Sequence, residues 1–136
     1  MICASIFSTQ TNIAEKLCWI LALAYLGDSV YEIYIREHLI KKGIEKVKTL
    51  QEEATKFVSA KSQASFLKKM IENNFLTDDE LSIVYRARNH KGSRHPKHTD
   101  IITYKHSTGF EALIGYLYLE NNIDRILEIM KEIIGE

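Results

Sequence analysis

The sequence predicts an all-α protein, a helical bundle formed by one domain. Its 136 residues include only six glycines and one proline, too few for a turn-rich sandwich or barrel. Apolar residues recur at spacings of three and four along most of the chain, and no window alternates convincingly with period two. With 46% hydrophobic and 26% charged residues, the composition is that of a globular domain and excludes a disordered chain.

The first half of the chain is predicted to form four helices, over about residues 12–26, 28–42, 47–58 and 59–73. Residues 1–11 are expected to be a loosely held N-terminal tail. Thr11 or Asn12 is a suitable cap for the first helix, and Gly27 is expected to end it. Gly43 follows the second helix as a stop signal.

The second half of the chain is predicted to form three helices, one opened at Thr77, one over Phe110–Leu119 and one from Asp124 to Ile134. Thr77 and Glu80 match a capping box, in which each residue satisfies a backbone donor of the other. Residues 89–104 include the only proline and little apolar periodicity, so they are expected to form an exposed loop. Ser107 or Thr108 is the expected cap of the helix that follows.

The compartment is predicted from the cysteines and the apolar runs. Cys3 and Cys18 form neither a disulfide framework nor a zinc spacing. The N-terminus lacks a basic region followed by an apolar run, so no signal peptide is expected. The longest apolar run, Trp19–Leu26, has eight residues and is too short to span a bilayer. A reducing cytoplasmic compartment is therefore expected.

Two acidic residues lie in strongly apolar surroundings. They are Asp28 in AYLGDSVYE and Glu111 in STGFEALIGY. An acid among apolar residues is costly unless it is paired, hydrogen-bonded or bound to a metal ion. From the residues alone, the simpler interpretation is that each acid lies in the first turn of a helix, where the helix dipole favours it. Gly115 lies inside the second segment and indicates close helix packing.

The formal net charge is zero, but basic residues are concentrated in one segment. Between Arg86 and His106 there are six lysines or arginines and one acidic residue. A solvated loop is one interpretation of this segment. The other is contact with phosphates, because Arg and Lys neutralise the charge of a nucleic-acid backbone without reading its sequence.

Four ordered segments cover most of the chain from about Leu17 to Ile134. They are LALAYLGDSVYE, FVSAKSQA, RARN at residues 86–89, and STGFEALIGYLYL. Together they resemble the ribonuclease III family, and most closely its compact bacterial Mini-III branch. The resemblance implies an all-α ribonuclease III-type catalytic domain over residues 12–136 that forms a homodimer. It implies no separate double-stranded RNA-binding domain.

The same resemblance implies a Mg²⁺-dependent endoribonuclease that cleaves double-stranded RNA. In the Mini-III branch the expected substrate is the precursor of large-subunit (23S) ribosomal RNA, cut on both strands of a stem, and a ribosomal protein is the candidate partner that presents it. The family's catalytic and metal-binding acids fall on Asp28 and Glu111. Two further family carboxylates are replaced by Ala24 and Thr108, a reduction that the Mini-III branch shares.

Without an appended RNA-binding domain, the catalytic domain itself is expected to contact RNA. The candidate RNA-binding residues are Arg86, Arg88, Asn89, Lys91, Arg94, Lys97 and, as a weaker candidate, Lys61. The dimer patch is expected around Trp19, Leu23, Leu26, Tyr31 and Ile35, at least half of which are expected to be ordinary core. Two-fold symmetry would place one active site on each strand of a duplex.

Two other functions are compatible with parts of the sequence. A ribonuclease III-like domain that grips structured RNA without cutting it would explain the two missing carboxylates, but it has no need of Asp28 and Glu111. An all-α metal-dependent nucleotide phosphohydrolase would need paired acidic motifs or adjacent His and Asp. Here Thr99 separates His98 from Asp100, so that pattern fails.

Overall fold

The computed structural model describes residues 17–90, 97 and 100–135, and within these ranges it contains six helices and no strand. The helices are α1 (Leu17–Lys41), α2 (Val47–Val58), α3 (Ala60–Glu72), α4 (Asp78–Arg88), α5 (Ile101–Leu119) and α6 (Ile123–Ile134). The predicted all-α class is therefore confirmed. The N-terminal tail and the expected cap at Thr11 or Asn12 lie outside the described residues.

Helices α1 and α5 form the centre of the bundle. They pack against each other, α3 and α4 lie against α5, and α2 lies against α1. Their central position explains their sequences, since a helix surrounded by others carries apolar residues on more than one face. Tyr31 of α1 and Phe110 of α5 are fully buried and meet edge to face, with their ring centroids 4.9 Å apart. The hydroxyl of Tyr31 donates a hydrogen bond to the carbonyl of Phe57, which joins α1 to α2.

Gly27 does not end a helix, and the prediction from the sequence pattern is wrong at this position. Helix α1 runs through it without interruption. A Cβ atom on Gly27 would overlap the carbonyl oxygen of Glu111, and one on Gly115 would overlap the carbonyl oxygen of Leu23. These two glycines therefore allow the backbones of α1 and α5 to touch where they cross. The expectation that Asp28 starts a helix is also wrong, because Asp28 lies in the middle of α1.

Helix α5 begins earlier than predicted. Asp100 is its N-cap, and the carboxylate accepts hydrogen bonds from the backbone amide and the hydroxyl of Thr103. Those hydrogen bonds lower the pKa of Asp100. Ser107 and Thr108, the expected caps, are instead buried within this helix. The sequence pattern misses this start because the first turn of α5 bears two exposed isoleucines rather than a buried apolar stripe.

The predicted capping box at the start of α4 is confirmed, and it also holds α6. Glu80 accepts a hydrogen bond from the amide of Thr77, and Thr77 accepts one from the amide of Glu80. Arg125 of α6 binds the same carboxylate, with its Nε 2.9 Å from Oε2, and donates to the carbonyl of Phe75. Burial raises the pKa of Glu80, but hydrogen bonds from Arg125 and Thr77 outweigh it and hold the pKa below its usual value.

The last helix, α6, is capped by Asn122 rather than started at Asp124. The side chain of Asn122 accepts a hydrogen bond from the amide of Arg125. Gly135 ends the helix in the left-handed conformation, with a φ of 83°. No helix in the described part of the chain is long and apolar enough to cross a membrane.

Candidate active site

Asp28 and Glu111 come from the two central helices and lie at the point where those helices cross. Asp28 directly follows Gly27, and Gly27 rests on the backbone of Glu111. Asp28 is exposed to solvent, whereas Glu111 is partly buried. The two acids that the sequence singles out are far apart in the chain, and the glycine contact makes them neighbours.

The electrostatics of the two carboxylates indicate that they are close enough to interact. Burial, followed by the negative charge of Asp28 and partly offset by a hydrogen bond from Ser107, raises the pKa of Glu111 to about 7. Burial and the charge of Glu32 raise the pKa of Asp28. Near neutral pH the pair therefore holds negative charge at a cost.

This donor set fits a hard divalent cation. Both groups offer only carboxylate oxygens, and a cation between them would remove the repulsion that raises the pKa of Glu111. No three His, Cys, Asp or Glu side chains come together as metal ligands anywhere in residues 17–90, 97 and 100–135. Two carboxylates suit Mg²⁺, which keeps several waters and commonly binds through one or two carboxylates together with substrate phosphates.

Ala24 and Thr108, at the positions of the two missing acids, have structural roles. Ala24 is buried in a small cluster with Ala87 of α4 and Ala112 of α5. Thr108 is also buried and donates its hydroxyl to the carbonyl of Tyr104, one turn earlier in the same helix. Both positions are buried in this structure, so a charged acid at either would have to lose its hydration.

Two buried polar side chains, Ser107 and Gln63, lie next to Glu111, and the sequence analysis does not predict their contact. The hydroxyl of Ser107 lies 3.2 Å from Oε1 of Glu111 and 2.6 Å from Oε1 of Gln63 on α3. Gln63 and Ser107 are 1% and 3% exposed. The signal available in the sequence is a glutamine on the otherwise apolar face of α3, next to Ala64 and in line with Leu67.

The predicted RNA-binding residues at the end of α4 lie close to this crossing. Ala87 packs in the same cluster as Ala24 and Ala112, which are near the two acids in their helices. Arg88 lies over the ring of Tyr85, with its guanidinium carbon 4.6 Å from the ring centroid, and contacts the side chain of Asn89. Arg86 and Asn89 are exposed.

The remaining predicted RNA-binding residues fall in two places. Lys97 is exposed, and Lys91 and Arg94 lie outside the described residues. Lys61 lines a groove of about 390 Å³ between α3 and the first turns of α5. Lys68, Lys69 and His106 line the same groove, and none of the three is predicted from the sequence. The spacing of seven between Lys61 and Lys68 places both on one face of a helix, which is the signal that could reveal them.

Comparison with known proteins decides the family. The Ribonuclease III domain model matches residues 21–122, which include both acids and the crossing. The chain belongs to the ribonuclease III family. The resemblance carried by its four segments is thereby confirmed.

Relatives from several bacteria refine this assignment. The Mini-ribonuclease 3 of Streptococcus pneumoniae is 48% identical over 106 residues, which span 78% of this chain and 83% of that protein. The Mini-ribonuclease 3 of Desulfitobacterium hafniense is 47% identical over 119 residues, spanning 85% of this chain and 74% of that one. A crystal structure of a Fusobacterium nucleatum protein superposes with a TM-score of 0.77 at 33% identity, covering 85% of this chain and 91% of the other. The chain is thus an endoribonuclease of the Mini-III type.

Proposed function

We propose that this ribonuclease III family member is a Mg²⁺-dependent endoribonuclease that cuts both strands of double-stranded RNA. One observation carries the proposal. Asp28 and Glu111 converge from two helices into a pair whose negative charge helps to raise the pKa of Glu111 to about 7, and a bound cation would relieve that charge. A domain that only gripped RNA would gain nothing from such a pair, because two carboxylates repel a phosphate backbone.

In this proposal the protein's own side chains hold and orient the metal ion. Asp28 is exposed and would face the scissile phosphate, while Glu111 would bind from deeper in the crossing. Mg²⁺, when bound, lowers the pKa of a coordinated water and stabilises negative charge on the transferring phosphoryl group. Glu111 must be ionised to act as a ligand, and the hydroxyl of Ser107, 3.2 Å from Oε1, supports that state when its proton points to the carboxylate.

The groove between α3 and α5 supports an RNA duplex as the substrate. Lys61 and His106 lie at its end nearest to Gln63 and Ser107, and Lys68 and Lys69 continue it along α3. Duplex RNA is recognised mostly by its shape, through phosphates and 2′-hydroxyl groups. Three lysines against one acid, Glu72, along one groove suit that backbone. Arg86, Arg88 and the segment that includes Lys91, Arg94 and Lys97 would extend the contact.

A homodimer is the assembly that we propose. A duplex needs one cut on each strand, and a two-fold axis supplies two sites from one patch. Of the predicted patch, Leu23, Tyr31 and Ile35 are buried, in line with the expectation that at least half of it is core, whereas Trp19 and Leu26 are only partly buried. Tyr25 is a better anchor, since it is 82% exposed and lies about one helical turn before Asp28. An aromatic ring exposed to this extent beside a catalytic acid suits a contact with a second copy.

The substrate that we propose within this class is the precursor of large-subunit ribosomal RNA, presented by a ribosomal protein in the cytoplasm. This part of the proposal rests on the resemblance of the four sequence segments to the Mini-III branch. The purified chain should cut a stem from such a precursor once on each strand. Equal cutting of unrelated duplexes, with or without ribosomal proteins, would contradict this choice of substrate.

The activity is tested by incubating a long RNA duplex with Mg²⁺ and the parent protein or Asp28→Asn. The parent should cut, and the variant should lose cleavage by at least about 100-fold while binding the duplex with similar affinity, because the substitution removes a metal ligand. Glu37→Gln, exposed on the same helix and about two and a half turns from Asp28, is the matched control and should still cut. Equal cutting by the parent and Asp28→Asn would refute the assigned site. Binding without cutting by both proteins would favour the non-catalytic module.

The dimer is tested with Tyr25→Asp. Placing a charge in the proposed contact should convert the protein from dimer to monomer in sedimentation analysis, and cleavage of both strands should fall with it. Ile40→Asp is the control, because Ile40 is also exposed on α1 but lies about four turns away. A dimer that persists in Tyr25→Asp would show that the interface lies elsewhere.

A further inference from the structure

We propose that Gln63 is a positioning residue for the active site, and that it acts on Glu111 through the hydroxyl of Ser107. This inference rests on the proposed function, in which Glu111 is a metal ligand. Gln63 belongs to α3, which contributes no acid to the site, and it reaches α5 across 44 positions of sequence. Both Gln63 and Ser107 are almost completely buried.

The argument begins with the number of protons that Ser107 can offer. A serine hydroxyl carries one donor proton, yet the oxygen of Ser107 lies within hydrogen-bond distance of acceptor atoms on both Gln63 and Glu111. An ionised carboxylate only accepts hydrogen bonds. When Glu111 is an ionised ligand, its 3.2 Å contact with Ser107 is a hydrogen bond only if the proton of Ser107 points to Glu111, and the Ser107 oxygen is then free to accept from Gln63.

Gln63 can meet that requirement because an amide has a donor end and an acceptor end of the same shape. Its orientation is assigned from hydrogen bonding, and a half-turn about the last side-chain bond exchanges the two ends. With Nε2 toward Ser107, Gln63 donates to the hydroxyl, and the hydroxyl donates to Glu111. With Oε1 toward Ser107, as in this structure, the proton of Ser107 is drawn away from the carboxylate.

The backbone at Gln63 and the backbone near Ser107 are both held by local contacts. The side chain of Ser59 caps the start of α3, and the backbone N–H of Gln63 donates to the carbonyl of Ser59 at 3.0 Å. On the other helix, Gly109 follows Ser107 by two residues, and a Cβ there would meet the carbonyl oxygen of Val84 at 3.1 Å. The same Cβ would lie 3.7 Å from Cδ2 of Leu67 on α3, so α5 packs directly against the helix that carries Gln63.

The test measures metal binding without RNA. Mn²⁺, a paramagnetic substitute for Mg²⁺, is titrated into the full chain and its binding is followed by water-proton relaxation. Gln63→Met, which keeps the length of the side chain but lacks a donor, should raise the dissociation constant by about 10-fold, the usual scale for a group that orients a metal ligand. Ser107→Ala should do the same, and the double variant should be no weaker than the weaker single variant. Gln51→Met, an exposed glutamine on α2, is the control.

Each outcome separates this inference from the proposed function. If Glu111→Gln leaves Mn²⁺ binding unchanged, the proposed metal site is wrong. If Glu111→Gln weakens binding but a folded Gln63→Met does not, only the role of Gln63 is wrong. The effects of Gln63→Met and Ser107→Ala could instead multiply in the double variant. That result would show two independent contributions, and the proposed action of Gln63 through Ser107 would be wrong.

A second measurement needs no substitution at Gln63. The chain has three glutamines, so selective ¹⁵N labelling and replacement of Gln10 and Gln51 identify the side-chain amide signal of Gln63. Adding Mg²⁺ should shift that signal with the same midpoint as metal binding, because the amide changes its partner. A signal that stays fixed throughout a saturating titration would contradict the proposal.

Discussion

At the scale of single residues, Glu111 affects both the proposed chemistry and the stability of the protein. Its carboxylate is partly buried and lies close enough to Asp28 to interact, so burial and then repulsion raise its pKa to about 7. Ionising it without a cation is therefore unfavourable for the folded state. The arrangement proposed to hold a metal ion therefore weakens the metal-free protein.

Glu111→Gln should make the metal-free protein more stable at alkaline pH. The pKa of Glu111 rises from 4.5 to about 7 on folding, so the stability contributed by its proton is complete below pH 4.5 and is lost as the pH rises to about 7. The free energy of unfolding of the variant should exceed that of the parent by an amount on the order of 2 kcal/mol above about pH 8, and the two should converge near about pH 4. Urea denaturation across this range checks it, with Glu120→Gln as the control for loss of one charge. If the free energies of unfolding of the parent and Glu111→Gln change with pH in parallel, this prediction is wrong.

Sequence patterns identify the two acids but not their support. Asp28 and Glu111 lie within motifs that can be recognised residue by residue, so both can be named from the sequence alone. Local pattern alone makes Ser107 a cap, because serine commonly starts a helix. Ser107 instead lies inside α5 and contacts Gln63, and no local spacing encodes that contact between distant parts of the chain.

At the scale of helices, the crossing of α1 and α5 places the site. Gly27 and Gly115 allow backbone contact, so each acid is positioned by its helix rather than by a flexible loop. A glycine inside a helix usually costs about 1 kcal/mol relative to alanine. At this crossing that cost is offset by packing that no other residue permits.

Gly27→Ala should destabilise the protein although alanine favours helices. The new methyl group would overlap the carbonyl oxygen of Glu111, and the main chain of a central helix cannot move aside without repacking. A loss on the order of 2 kcal/mol is expected in urea denaturation. Ser29→Ala, at an exposed position two residues later, should change stability by less than about 0.5 kcal/mol. A stabilised Gly27→Ala would show that the crossing is looser than described.

The helix boundaries show where sequence reasoning succeeds and where it fails. Thr77 and Glu80 are predicted correctly because a capping box is a local structure with a local pattern. Gly27 misleads because a glycine that ends a helix and one that admits a neighbouring helix look the same in sequence. Only the position of Gly115 on the partner helix distinguishes them.

At the scale of the whole molecule, the charge is balanced but unevenly placed. The net charge is zero, yet Lys61, Lys68 and Lys69 line one groove together with His106 and one acid, Glu72. A second groove, between α1 and α6, is lined by apolar residues and by both acidic and basic ones. Affinity for a polyanion should therefore depend on one face of the protein.

Lys68→Ala should weaken the binding of duplex RNA to a similar extent for every sequence tested. Removing one phosphate contact should reduce the slope of log affinity against log salt concentration by about 1. Fluorescence anisotropy at several salt concentrations measures that slope. Lys131→Ala, in the second groove, should leave it unchanged. An unchanged slope in Lys68→Ala would place the RNA on another face.

The backbone contact between Gly27 and Gly115 also affects how the enzyme loses activity on heating. Regions that open locally are those held by few buried contacts, whereas amides at the centre of a core exchange only when the whole domain opens. The two acids are attached to that centre, so their geometry should persist until the bundle itself melts. Loss of activity on warming and loss of helical signal should therefore follow a single curve.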